Sequence, residues 1–295
     1  MAAGGMQRGL NGRAESPYNP EYLTAAFWSG SSNGSATETA ASLAAFSLGT
    51  ETVSSARSPA SNNALVAYSP SRGIISCRGV WPLYPTCDVI VPHTRTVNDM
   101  LTILDVLTQR DDVKEGDFWR DQSFVKLPDF DTVIPKMYSV CADNDALKGK
   151  RFGVPRMYIG CQDTAGGPIY VSEEVKDLWA RAKADIESLG GEVIATDFPV
   201  LTKYEDDSVS GLPNNVAGAP SDWNQLERGK IIAYTWDDFL IANKDPWCNT
   251  LAAVAGEMLF PKPKDYVPDR FIERKNTISY PGLVDFIKSG DRTAV

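Results

Sequence analysis

Lysine is absent from the first 113 residues of this chain, and the first one is Lys114. Histidine is almost absent, because His93 is the one histidine in 295 residues. A histidine-rich metal site is therefore excluded, and a Ser-His-Asp mechanism would have to use this one residue. His93 lies just ahead of a predicted helix, and we interpret it as a surface or loop-packing residue.

Long apolar runs and paired cysteine motifs are also lacking. No stretch of 18 or more apolar residues occurs, which argues against a membrane span, and the N-terminus lacks the apolar core of a signal peptide. The five cysteines are widely spread without a CxxC pair, so we expect reduced thiols and a cytoplasmic location. The formal net charge of −9 predicts no nucleic-acid partner, because an acidic chain gains nothing from counterion release.

Size and composition allow a sizeable core. The chain is 43% hydrophobic, which is enough for one large domain or two modest ones. Two helices are signalled early: residues 35–47 combine small side chains and end before Gly49, and residues 96–108 repeat apolar side chains at helical spacing. Thr96 is the expected cap of the second helix, and Asp99 lies at the positive end of its dipole.

A strand–helix–strand unit is predicted later in the chain. Residues 151–158 and 192–197 are strand-like, and residues 172–189 are typical of a helix closed by glycines. Pro155 marks the end of the first strand or an edge. This alternation predicts an α/β sheet. The remaining predictions are short strands at 65–68 and 73–76, a helix at 230–242, irregular stretches at 1–30, 109–147 and 203–225, and a polar final stretch without a clear closing element.

Two serine-rich segments lie near the start, at residues 29–35 (SGSSNGS) and 49–60 (GTETVSSARSPA). A serine hydroxyl becomes a nucleophile when a base takes its proton. With no usable histidine, that base would be a lysine held neutral, acting directly or through a second hydroxyl. Glycine-rich flanks let backbone amides point at an oxyanion. On spacing alone, the segments are also consistent with ordinary serine- and glycine-rich loops.

The two segments resemble the hallmark of the amidase signature family of serine hydrolases, and more closely its fungal members. That hallmark is GGSSGGS, an alanine-rich helix and then GTDTGGSIRxPA, and the spacing in this chain matches without a gap. Residues 65–73 (LVAYSPSRG) are similar to the family's LVGLKPTxG, and residues 147–155 (LKGKRFGVP) resemble a later strand. The resemblance is strong over residues 5–108, fair over 147–197 and weak over 198–295.

The resemblance implies one amidase signature domain over residues 1–295, of α/β class, with a mixed, twisted central β-sheet flanked by helices. It implies a Ser–cis-Ser–Lys unit that cleaves a carboxylic amide through an acyl-serine intermediate, with no metal and no cofactor. Ser55 matches the nucleophile, and Ser31 matches the bridging serine, which follows a cis peptide bond after Gly30. The remaining matches are the oxyanion-hole amides of Thr52, Val53, Ser54 and Ser55, and the supporting residues Ser32, Glu51 and Arg57.

Three departures from the family pattern bear on activity. Val53 and Ser54 replace two glycines, and a Cβ at each position restricts the loop and narrows the acyl pocket. Glu51 replaces an aspartate, which lengthens a polar link by one methylene. The family's lysine lies upstream of the first serine segment, so we expect that this chain begins too late to contain it and is truncated at both ends.

Two hypotheses follow for the function. The first is an amidase-type serine hydrolase, or part of one, that acts on a small-molecule amide. The amidase subunit of a tRNA-dependent amidotransferase is a related alternative that the fungal stand-alone pattern favours less. The second is a catalytically dead amidase relative that serves as a binding or partner module, or an incomplete gene product. Missing strands would expose sheet edges, so oligomerisation is left open.

Overall fold

The chain forms two compact units, the first from residues 1–141 and 224–295 and the second from residues 142–223. Both serine segments lie in the first unit, so the candidate site is described within it. The single-domain assignment over residues 1–295 stays a prediction. The structure, a computed structural model, describes residues 14–25, 29–162, 169–201, 220–259 and 278–292.

A three-stranded antiparallel sheet carries the site. Its strands are β1 (Phe46–Glu51), β2 (Val66–Ala67) and β3 (Val89–Thr94), in the order β1-β3-β2. All six residues of β3 are buried, because this central strand begins with the apolar run 89–91 and has a neighbour on each side. Glu51 pairs with Val89 in the register, so β1 ends directly before the second serine cluster.

The first predicted helix is shorter than expected. Helix α1 spans Asn33–Ala40, and the chain turns at Ser42, whose φ is +60°. This left-handed backbone conformation does not continue a right-handed helix, so the predicted helix over 41–47 is wrong. Residues from Phe46 onward instead alternate between exposed and buried in the two-residue period of a strand.

Helix α3 (Val97–Leu107) confirms the second predicted helix. Its cap is Thr96, whose hydroxyl accepts a 3.1 Å hydrogen bond from the Asp99 N–H. Its buried face packs Met100 and Leu104 with residues of β3 and of the loop before it. The predicted strand at 73–76 is wrong, because the N–H of Ile74 closes a turn onto Ser71.

Further helices complete the first unit. The stretch 109–147, predicted as irregular, contains two single-turn helices with aspartate caps. The predicted helix at 230–242 is confirmed, and a π-helical turn over Glu227–Ile231 precedes it. A closing helix over 280–289 was not predicted. These helices are α2 (Arg57–Asn62), α4 (Phe118–Asp121), α5 (Phe130–Val133), α7 (Trp223–Leu226, its first residue assigned to the second unit), α8 (Ile232–Asn243) and α9 (Tyr280–Ser289).

Helices α8 and α9 form a second core of the first unit. Trp236 is its largest fully buried side chain and packs among aliphatic residues of both helices. The Trp236 Nε1–H donates a 2.7 Å hydrogen bond to the Pro82 carbonyl, which ties this core to the chain before β3. No helix in the described ranges is long and apolar enough to cross a membrane.

The second unit is the predicted strand–helix–strand. Strand β4 (Arg151–Pro155) pairs in parallel with β5 (Glu192–Thr196), and helix α6 (Glu173–Ser188) connects them. Pro155 is the last residue of β4, as predicted. The α/β class is therefore confirmed, with the described strands in two sheets. Most of the predicted loop at 203–225, and residues 1–13 and 26–28 of the irregular start, lie outside the described residues.

Candidate active site

The structure places the two serine segments side by side. The Ser32 N–H donates a 3.0 Å hydrogen bond to the carbonyl oxygen of Ser55. The hydroxyls of Ser29 and Ser58 form a second hydrogen bond between the segments. The chain before α1 and the chain before α2 are thus in contact, although 24 positions separate Ser31 from Ser55.

Ser32 attaches the first segment to the end of β1. Its hydroxyl donates to the Thr50 carbonyl over 2.9 Å and accepts from the Thr50 N–H over 3.0 Å. The side chain is 5% exposed. This hydroxyl therefore both donates and accepts at Thr50, and the role of Ser32 in the site stays a prediction. Gly49 allows the close approach, since a Cβ there would lie 2.8 Å from the Ser32 Cβ.

The loop over residues 52–55 presents free backbone donors. Within the described chain, none of its four N–H groups donates a hydrogen bond. Ser55 is 7% exposed and occupies the turn just before α2. Its hydroxyl makes no hydrogen bond inside the described ranges. A loop with unpaired amides beside a free hydroxyl can bind the oxygen of a carbonyl group under attack.

A buried carboxylate fixes the shape of this loop. Glu51 is 5% exposed, and its Oε2 accepts the N–H groups of Ala56 (3.2 Å) and Arg57 (2.8 Å). Its Oε1 pairs with the Arg57 guanidinium, which also donates a 2.6 Å hydrogen bond to the Val53 carbonyl. Glu51 and Arg57 therefore hold both ends of the loop, and their roles in the site stay predictions.

Asp88 anchors the loop from the side of β3. The Thr52 hydroxyl donates a 2.5 Å hydrogen bond to Asp88, which also accepts the N–H groups of Leu83 and Tyr84. Burial raises the pKa of the Asp88 carboxyl, and these hydrogen bonds oppose the shift. No role was predicted for Asp88 from the sequence. The sequence signal available for Asp88 was its position as an acidic residue directly before the apolar run 89–91.

His93 is neither a surface nor a loop residue, so that interpretation was wrong. It lies on β3, is fully buried, and its Nε2–H donates a 3.1 Å hydrogen bond to the Ala56 carbonyl. Burial lowers the pKa of His93, although the Ala56 hydrogen bond and the charge of Glu51 favour protonation. The imidazole therefore lies beside the loop over residues 52–55 as a donor through Nε2 and is not in position to act as a solvent-facing base.

The expected cis bond before Ser31 is absent from the described residues, where every peptide bond is trans. The chain turns at Gly30 instead, whose φ of +113° is a backbone conformation that glycine adopts readily. Ser31 is half-buried, and no hydrogen bond joins its hydroxyl to that of Ser55 in the described ranges. The structure thus brings the two serines into neighbouring positions without a preformed relay between their hydroxyls.

A separate cavity of about 880 Å³ opens elsewhere on the first unit. Its lining comes from the chain between Tyr68 and Cys141 and includes none of the predicted site residues. In the loop over residues 52–55, Val53 is 68% exposed.

Comparison with known sequences places the chain among amidases. The Amidase family profile matches residues 4–226. An Arthroderma benhamiae protein named as an amidase is 34% identical over 194 residues, which are 65% of this chain and 29% of that protein. An Arabidopsis thaliana protein named as an amidase is 40% identical over 148 residues, 50% of this chain and 26% of that protein. A glutamyl-tRNA(Gln) amidotransferase component from Afipia carboxidovorans is 32% identical over 193 residues, 65% of this chain and 33% of that protein.

Solved structures agree on the fold. An amidase family protein from Bacillus anthracis has a TM-score of 0.55 at 24% identity, over 81% of this chain and 39% of its own. Native peptide amidase from Stenotrophomonas maltophilia has a TM-score of 0.54 at 22% identity, over 85% of this chain and 43% of its own. The chain spans about a quarter to a third of the length of the curated relatives. The family profile covers residues 4–226, which are most of this chain, and the chain therefore belongs to the amidase family.

Proposed function

We propose that this chain carries the nucleophile and the oxyanion-binding loop of an amide-hydrolysing site, with Ser55 as the nucleophile. The observation that carries the proposal is the hydrogen bond from the Ser32 N–H to the Ser55 carbonyl, which joins two distant serine segments. The unpaired N–H groups of residues 52–55 support it, and family membership supports the reaction class.

In the proposed reaction, the Ser55 hydroxyl oxygen attacks the carbonyl carbon of a small-molecule amide while its proton passes to Ser31. The carbonyl oxygen gains negative charge and accepts hydrogen bonds from the loop amides. The C–N bond then breaks, and the nitrogen takes up a proton and leaves as ammonia or an amine. The acyl group remains on Ser55 as an ester until water attacks it, releases the carboxylic acid and restores the hydroxyl.

The base that finally takes the proton is not assigned among these 295 residues. No lysine precedes Lys114, and the Nε2–H of His93 is committed to Ala56. In serine triads, removal of a catalytic member lowers kcat by about 10⁴- to 10⁶-fold. We therefore expect this 295-residue chain by itself to turn over amides very slowly.

A second candidate is a family member that binds amides without hydrolysing them, and it is favoured because no hydrogen bond joins the Ser31 and Ser55 hydroxyls in the described ranges. In that case the loop amides would bind a carbonyl oxygen, but no ester would form on Ser55. The two candidates differ in one chemical event, which is formation of a covalent bond to the Ser55 oxygen.

A fluorophosphonate serine probe tests for this event, with the modified residue identified by peptide mass spectrometry. We expect slow labelling of Ser55 over hours, no adduct in Ser55→Ala, and a rate about 10²-fold lower in Ser31→Ala, as for loss of a proton-transfer group. The control is Ser61→Ala, because Ser61 is an exposed serine on α2. An adduct that survives in Ser55→Ala would refute the nucleophile assignment. No adduct in the wild-type chain would favour the binding protein.

A further inference from the structure

The chain's one histidine lies directly behind the proposed nucleophile. His93 has no exposed surface, and its Nε2–H donates to the Ala56 carbonyl, one residue after Ser55. The same carbonyl accepts the Ala60 N–H over 3.1 Å as the first hydrogen bond of α2. His93 is thus a second donor to the Ala56 carbonyl, which lies in the Ala56–Arg57 peptide group at the start of α2.

The backbone groups from the Ser55 carbonyl to the Arg57 N–H all have hydrogen-bond partners. The Ser55 carbonyl accepts from Ser32, the next two N–H groups bind Glu51, and the Ala56 carbonyl accepts from His93. Removal of the imidazole donor would leave the Ala56 carbonyl with the helical bond alone. The Ala56 carbonyl belongs to the Ala56–Arg57 peptide group, which is joined through the Ala56 Cα to the Ser55–Ala56 peptide group. Its orientation therefore constrains the backbone beside the Ser55 side chain.

The imidazole also lies near the place where the first serine segment meets β1. A Cβ built on Gly49 would lie 3.5 Å from His93 Cε1 and 2.9 Å from the Ser32 hydroxyl oxygen. His93 and Ser32 therefore both lie close to Gly49 on β1.

We propose that neutral His93 is a positioning residue for Ser55, acting through the Ala56 carbonyl. This inference rests on the proposed function. It requires the tautomer with the proton on Nε2, because a carbonyl oxygen can only accept. Nδ1 is buried and has no hydrogen-bond partner in the described part of the chain, so a proton added there would be an unpaired buried charge.

The charged groups around His93 do not change this assignment. On β1, the Glu51 carboxylate favours the protonated ring, but its oxygens are taken by Ala56 and Arg57. At the start of α2, the Arg57 side chain is 63% exposed and pairs with Glu51. The residues opposite His93 in the sheet are Ser47 on β1 and Ala67 on β2, and neither is charged. Burial is therefore the largest influence on the ring.

The test combines histidine NMR with Ser55 labelling on the full chain. Because His93 is the one histidine, ¹⁵N-histidine labelling gives one set of ring resonances. We expect the Nε2–H tautomer and a titration midpoint below that of the same histidine in the urea-unfolded chain. His93→Leu should lower the labelling rate of Ser55 about tenfold, as expected for loss of one hydrogen bond, and His93→Gln should restore most of it with its amide donor. Ser61→Ala should label at the wild-type rate.

Three results would overturn the inference. They are an Nδ1–H tautomer, a titration near the ordinary histidine pKa, and unchanged labelling of Ser55 in a folded His93→Leu chain. If His93→Leu does not fold, a loss of labelling in folded His93→Gln would count against the donor role. If the wild-type chain is not labelled at Ser55, the proposed function fails, and the positioning role of His93 fails with it. The ring resonances then still decide whether the hydrogen bond to Ala56 exists.

Discussion

Replacement of Gly49 by alanine is the sharpest structural test of how the serine segments meet. The new Cβ would lie 2.8 Å from the Ser32 Cβ and 2.9 Å from its hydroxyl oxygen, so Ser32 would have to move. Ser32 cannot move freely, because its hydroxyl both donates to and accepts from Thr50. The substitution therefore acts directly on the contact between the segments.

The expected loss in the free energy of unfolding follows from these contacts. Overpacking a filled site costs about 1–3 kcal/mol. Each hydrogen bond from Ser32 that is broken adds about 0.5–1.5 kcal/mol, whereas alanine returns about 0.4–1 kcal/mol by restricting the unfolded chain. We expect Gly49→Ala to be less stable by about 1–3 kcal/mol and to label more slowly at Ser55.

Gly34→Ala is the matched control, because nothing lies within 4 Å of a Cβ at Gly34, on helix α1. Alanine favours a helix, so this variant should be unchanged or more stable by up to about 1 kcal/mol. Urea unfolding followed by tryptophan fluorescence measures both variants. Equal stability of Gly49→Ala and Gly34→Ala would refute the close approach of Ser32 to β1.

Three other predictions address the surroundings of the site. Glu51→Gln should destabilise the chain by about 1–2 kcal/mol in urea unfolding, because a buried acceptor of two N–H groups becomes neutral, whereas the exposed Glu38→Gln should not. Because the pKa of His93 is lower in the folded chain, the unfolded chain binds more protons below about pH 6.5, and stability should fall there by at most about 1.4 kcal/mol per pH unit. The difference between the stability–pH curves of wild type and His93→Gln measures this slope. Burial raises the pKa of Cys77 to about 12, so iodoacetamide at pH 8 should modify the exposed Cys141 and leave Cys77 intact in mass spectra.

Elements with complete local signals were predictable from the sequence. Helix α3 has a capping threonine, an acidic first turn and regular apolar spacing, and its bounds differ by one residue at each end from the prediction. The strand–helix–strand over 151–197 was predictable for the same reason. The resemblance implied one site built from both serine segments, and a hydrogen bond from Ser32 to Ser55 joins these segments.

Two of the failures were tertiary in origin, and a third was a missed local signal. Residues 41–47 are helix-compatible, but Phe46 and Ser47 belong to β1 and pair with β3, about 45 positions further along the chain. The burial of His93 depends on two neighbouring strands that a local pattern does not show. Helix α9 had usable signals, because Pro281 lies in its first turn and Gly290 ends it with a positive φ.

The central claim is that Ser55 is the nucleophile in a site built from both serine segments. The most direct measurement is the mass of the Ser55 peptide after long exposure of the 295-residue chain to the fluorophosphonate probe. The account predicts one adduct, on Ser55, that forms more slowly in Ser31→Ala and is absent from Ser55→Ala. An adduct on another serine, or complete resistance of Ser55 while the chain remains folded, would contradict it.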